Sequence, residues 1–191
     1  MAKLPPFPEI PGAKRDAMDA LSIDPFAFAR QKNRQEGSFT LAALTRLAAE
    51  CAPQENLQEI SLQWAVQGGF HPLHDSTRDL PQLQLEVRAA LPLVCQRCLK
   101  PFVWQLESTS TLVLAQDDAA ADEIEELLED DSIDVIAPER ETAILDLIED
   151  EALLALPQSA RHETCPDGSP LDQLGDDKES PFAALQKLKQ H

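Results

Sequence analysis

The stretch LQLEVRAALPLVCQRCLKPFVWQLESTSTLVLA, residues 83 to 115, decides the fold. Its first half alternates through Leu83, Leu85, Val87 and Ala89, a period of two that puts one set of side chains on a core and the other in water. Its second half, FVWQLESTSTLVLA, is again strand-like, and the two halves meet at a Cys-x-x-Cys turn set among basic residues. Upstream, ISLQWAV places Ile60, Leu62, Trp64 and Val66 at alternate positions, and QGGFHPLHDSTRDLP supplies the breakers before the next strand. Three antiparallel strands joined by turns predict an α+β protein: a β-meander or small barrel packed by a few helices, with one face wet.

Helices are expected on both sides of this block. Ser38 can cap a helix over FTLAALTRLAAEC, in which Leu41, Leu44, Leu47 and Ala48 form a core stripe. ETAILDLIEDEALLALP reads as a helix of about four turns ended by Pro157. Its apolar positions Ile144, Leu145, Leu147, Ile148, Leu153, Leu154 and Leu156 cover a wide arc that should pack on the sheet, leaving Asp146, Glu149, Asp150 and Glu151 for the remaining surface. IDVIAP offers a short strand. Residues 1–20 are expected as a mobile N-terminal arm, 21–165 as a single α+β domain, and 166–191 as a C-terminal tail. In that tail Ser180 can cap, Pro181 can open a helix, and Phe182, Leu185 and Leu188 repeat at three-residue spacing, as in a docked helix or a linear motif that folds on a partner.

Charge is concentrated rather than spread. The chain carries a net −18, of which residues 117–151 contribute −15 with Arg140 as their lone base, against −1 for residues 1–116 and −2 for 152–191. Residues 117–131 are expected as a solvated acidic loop, with at most a transient helix around Ile124, Leu127 and Leu128, too polar to bury much. Such a block repels phosphate backbones and attracts basic proteins. No run approaches the ~20 apolar residues of a membrane helix, and the first residues lack the apolar core of a signal peptide. The expectation is a cytoplasmic protein with no membrane association.

Four cysteines are too few for a disulfide scaffold in a chain of this length, so Cys95 and Cys98 are read for chemistry. A Cys-x-x-Cys on a tight turn offers two thiolates to one ion. His162 and Cys165 stand as His-x-x-Cys just past the helix end and supply a second pair, so a closed, structural zinc site is one reading. The alternatives are plain semi-buried thiols at a turn, or a redox pair. The last is disfavoured because a redox Cys-x-x-Cys opens a helix, whereas this one lies between strands. Cys51 is most simply packing.

Arg97, Lys100 and Arg88, in or near the turn, are candidate RNA contacts. Other chemistry is absent from the pattern: His71 and His74 flank a proline loop, and no phosphate loop or nucleophile elbow occurs. No enzyme and no small-molecule substrate are expected.

Taken together, CQRCLKPF after an alternating strand, an acidic interval, LIEDEALLALP, a following His and Cys, and a terminal PFAALQKLK resemble the bacterial YceD family of large ribosomal RNA subunit accumulation proteins, which has relatives in plastids. The likeness spans roughly residues 20 to 190, and its signature falls on Cys95, Arg97, Cys98, Pro101, Glu149, Asp150, Glu151, Leu153, Leu154, Leu156, Pro157, His162 and Cys165. Ala152 and Ala160 depart from it, standing where relatives carry a larger aliphatic residue and a proline. The resemblance implies a non-enzymatic role in ribosome biogenesis, supporting 23S rRNA accumulation on the pre-large ribosomal subunit. The acidic block, with Glu149, Asp150 and Glu151, suggests that the partner is a basic ribosomal protein or assembly factor. Direct rRNA binding through the hairpin tip is the alternative, and a thiol oxidoreductase the lesser one.

Overall fold

A computed structural model describes residues 21–53, 56–73, 79–128 and 132–166. The arm expected over 1–20, the tail beyond Pro166 and His74 lie outside them. The predicted α+β class holds. A five-stranded sheet runs in the order β2 (Arg34–Thr40), β3 (Ser61–His71), β4 (Leu80–Val94), β5 (Pro101–Leu114), β6 (Asp134–Ile136). Pairing is antiparallel from β2 to β5, and β6 joins β5 in parallel. Among the described residues the sheet stays open, a meander rather than a barrel. A small second sheet pairs β1 (Ser22–Ile23) with β7 (Thr142–Ala143).

The long hairpin β4–β5 is the spine. Its register sets Leu85 opposite Ser110, Val87 opposite Ser108, Leu91 opposite Trp104 and Leu93 opposite Phe102 on the core-facing side. Gln84, Glu86 and Arg88 face the other way with Thr111, Thr109 and Glu107. That alternation is the one legible in the sequence. On the core side lie the helices α1 (Pro25–Arg30), α2 (Thr45–Glu50) and α4 (Ile144–Leu154), whose buried residues join the sheet in one cluster that includes Phe28, Leu47, Leu85, Val87 and Ile148. Gly68 lets α1 approach β3: a Cβ there would stand 2.4 Å from the Phe28 carbonyl oxygen, so any side chain would force the helix away.

Three expectations are corrected. Ser38 does not cap a helix; it lies within β2, where Phe39 stacks on Trp64 at 5.2 Å and pairing along β3 outweighs helical propensity. The helix begins only at Thr45, although Leu41, Leu44 and Leu47 are buried as read. The acidic loop expected over 117–131 contains α3 (Asp118–Leu127), started by the Asp117 carboxylate accepting the Ala120 N–H at 2.8 Å. Alanine and glutamate propagate it, and none of its residues is buried.

The third correction concerns α4. Its inward stripe is Ile144, Ile148 and Ala152, spaced by four and fully buried, while Leu154 is 79% exposed. Glu149 and Glu151, expected on the surface, are buried. The reason for Glu151 lies in β5, where Ser108 and Ser110 are two apart and share the core face; their hydroxyls each donate to the Glu151 carboxylate at 2.5 Å. Removing both donors would strand a buried carboxylate. A Ser108→Ala/Ser110→Ala variant is expected to lose about 2 kcal/mol in urea denaturation. Adding Glu151→Met should restore most of it, since a well-packed apolar side chain needs no donors.

Candidate metal centre

β4 ends at Val94 and Pro101 opens β5, so the turn between them, Cys95 to Lys100, is only six residues. Two backbone hydrogen bonds close it: Cys95 N–H donates to the Lys100 carbonyl at 2.9 Å and Leu99 N–H to the Cys95 carbonyl at 2.8 Å. Leu99 takes the left-handed conformation, φ 58°, although its side chain is 76% exposed. A leucine with no packing to compensate holds that backbone only when its surroundings impose it. Here they aim backbone N–H groups of the turn at one sulfur.

The second half of the centre arrives from α4. The chain leaves the helix above Ser108 and Ser110 and runs along β5 to the turn. There Gln96 N–H donates to the Ala160 carbonyl at 2.8 Å and Ser159 donates to the Gln96 side chain at 3.1 Å. Ala160 is buried by this contact. The His162 ring then packs on Phe102 with centroids 4.8 Å apart, and Cys165 turns inward.

The result is a cluster of four ligand atoms, from Cys95, Cys98, His162 and Cys165, all within 4.8 Å of one another. Cys95 Sγ and Cys165 Sγ are 3.9 Å apart, and Cys98 Sγ is 3.4 Å from His162 Nδ1. A tetrahedral zinc site with Zn–S near 2.3 Å and Zn–N near 2.0 Å requires ligand separations of roughly 3.8 and 3.6 Å. The cluster therefore has the dimensions and the donor set of a Cys3His site.

Its electrostatics suit a cation. Burial opposes ionisation of Cys95, but the N–H groups of Cys98, His162 and Arg97 outweigh it and bring its pKa down to about 5. Cys98 is pushed up, by burial first and then by the neighbouring sulfurs of Cys165 and Cys95. A divalent ion relieves that mutual repulsion and lets every thiol ionise. Cys51 lies outside the cluster, its pKa raised to about 11 by burial and by Glu50.

The other sequence candidates are dispersed. Arg97 Nε donates to Cys165 Sγ at 3.1 Å, so its guanidinium serves the sulfur cluster. Arg88 pairs with Glu107 at 3.1 Å on the wet face, six residues up the strand and about 20 Å from the tip. Lys100 alone of the three stands with Arg97 in the turn. Of the acidic trio, Glu149 and Glu151 point inward, and Asp150 pairs with Arg46 Nη1 at 2.5 Å. Arg46 had no signal in the sequence, whereas Ser108 and Ser110, polar residues on the core face of a strand, did.

No helix among the described residues is long and apolar enough to cross a membrane. No solved structure matches this chain. A family model described as "Large ribosomal RNA subunit accumulation protein YceD" matches residues 83–189, more than half of the chain, from the first core residue of the hairpin through both ligand pairs and α4. The chain belongs to the YceD family.

Proposed function

We propose that this chain is a non-enzymatic factor that supports accumulation of large-subunit (23S) rRNA by holding a basic protein of the assembling large subunit. In the same reading, a structural zinc ion in the Cys95, Cys98, His162 and Cys165 cluster pins the segment after α4 to the hairpin turn. The family description supplies the process. The observation that carries the partner class is α3: Asp118, Asp122, Glu123, Glu125 and Glu126 lie on ten residues with no base, and none of the ten is buried. A helix that contributes nothing to the core keeps its charge available for a cationic surface.

Zinc is favoured by the ligand set, three thiolates and an imidazole, and four protein ligands complete the tetrahedron. Such a site is architectural. Direct RNA binding draws less support, because Arg97 donates to Cys165 and Arg88 pairs with Glu107.

Crosslinking capture with the tagged full chain from cells is expected to recover a basic large-subunit protein. Neutralising α3 as Asp122→Asn, Glu123→Gln, Glu125→Gln and Glu126→Gln should cut that yield roughly tenfold. Equal capture by the neutral variant would sink the acidic-helix reading. Salt-dependent binding of an rRNA fragment that disappears in Arg97→Ala/Lys100→Ala would put RNA in the partner's place.

A further inference from the structure

Beside the turn, the hairpin end presents an unusually apolar surface that reaches from the outer face of the sheet round to Phe102 on the core-facing side. Ile60, Ala90, Pro92, Pro101, Phe102 and Val103 line a cavity of about 350 Å³, with no charged side chain among them. Val103 is 63% exposed, and Val94 and Leu99 extend the patch at 36% and 76%. Along the rest of the hairpin this face is mostly Gln, Thr and charged side chains, and the apolar Ala65 and Val113 that also lie on it are buried, so its exposed apolar surface gathers at the hairpin end. Three of the five large apolar side chains exposed among the described residues are here. A contiguous patch of this kind marks a docking surface.

We infer that the occupant is the chain's own segment PFAALQKLK, residues 181–189, which places Phe182, Leu185 and Leu188 in this groove. The first ground is where the described chain ends. Cys165 is held against Cys95, the residue that follows Val94, and His162 packs on Phe102, itself a wall of the groove. Pro166, the last described residue, directly follows Cys165.

The second ground is length. Fourteen residues, 167 to 180, tether the segment to Pro166, and that many residues can span up to ~50 Å, so the groove is within reach. A tether this short holds the segment at millimolar effective concentration, enough for a contact that would be weak between separate molecules. The third is pattern and charge. Apolar residues at 182, 185 and 188 make one stripe of helical spacing. Lys187 and Lys189 beside them are drawn to a chain of net −18. The family match, running from 83 to 189, takes in the groove walls on β4 and β5 together with this segment.

The inference does not rest on the metal or on the basic partner. It is tested with the full chain carrying p-benzoylphenylalanine in place of Phe182, irradiated at low micromolar concentration as an equal mixture of ¹⁴N- and ¹⁵N-labelled protein. Crosslinks within one chain, from position 182 to peptides covering residues 90–94 or 101–103, are the expected result. Val103→Asp, at an exposed position that leaves the core intact, should reduce them about tenfold with an unchanged circular dichroism spectrum. Mixed-isotope crosslinks at the groove would assign it to a second copy and overturn the proposal. So would crosslinks mapping elsewhere, the absence of crosslinks, or a yield indifferent to Val103→Asp.

Discussion

Cys95→Ser is expected to abolish bound zinc, where the wild-type protein purified without chelator holds about one ion per chain, and to lower Tm by on the order of 10 °C. Cys95 is the right residue to remove because it is the centre of the arrangement. Its side chain is fully buried, and its sulfur takes backbone N–H groups from its own turn and from the segment past α4. A hydroxyl cannot accept those donors as an anion at neutral pH, and three remaining ligands leave the ion open to water. The loss should also be local. Without the ion, the segment from Ala160 to Cys165 is held to the turn mainly by the Gln96 N–H to Ala160 carbonyl bond and the packing of His162 on Phe102.

Amide exchange should therefore rise over residues 96–100 and 158–165 and stay unchanged in α2 and the centre of β4. Cys51→Ser, outside the cluster, should keep its zinc. Metal analysis and a thermal scan suffice to decide. Wild-type protein without zinc, together with a Tm that ignores Cys95→Ser, would leave the four side chains as plain buried thiols and an imidazole at a turn.

The hairpin was legible because its chemistry repeats at the period of a strand: every second residue from Leu83 to Leu93 is apolar, and every one but Ala89 is fully buried or nearly so. Both ligand pairs were legible as residue types at short spacing. Their meeting was the part that spacing could not decide, since sixty-odd residues separate them. What joins them is packing: Glu151 over Ser108 and Ser110 fixes where α4 ends, and the chain then has one strand to follow back to the turn.

The errors have a common origin. Ser38 is a good helix cap and a tolerable strand residue, and the choice fell to Trp64 across the sheet. The acids of α4 look alike in sequence. Helical period assigns apolar residues to the core with some force but says nothing about which carboxylate faces inward, because that depends on donors contributed by α2 and β5. The same blindness made Glu149, Asp150 and Glu151 look like a surface for a partner.

Glu149→Ala is expected to destabilise the protein by about 4 kcal/mol in urea denaturation, more than truncation of an exposed acid would. α2 starts at Thr45 with Leu44 in the cap position, a residue with no side-chain acceptor, so its first N–H groups need a partner from elsewhere. Glu149 provides it across the core: one carboxylate oxygen accepts the Arg46 N–H at 2.8 Å and the Leu47 N–H at 3.2 Å, and the other accepts Arg46 Nε at 2.9 Å. Asp150 holds the end of the same guanidinium, and both carboxylates raise its pKa further.

The guanidinium is half exposed and regains water when Glu149 goes, so the cost falls on the two backbone donors. The N–H of Leu47, in a fully buried residue, has nowhere to turn. Glu149→Gln separates the two contributions. It keeps an oxygen for the N–H groups but loses the charge, and it should cost about 1–2 kcal/mol. Both variants are measured by the urea midpoint at constant m-value. If Ala and Gln cost the same, the ion pair rather than the cap is what Glu149 contributes. If neither costs more than an exposed acid, α2 does not depend on α4 for its start, and the acidic signature of that helix needs an explanation outside the fold.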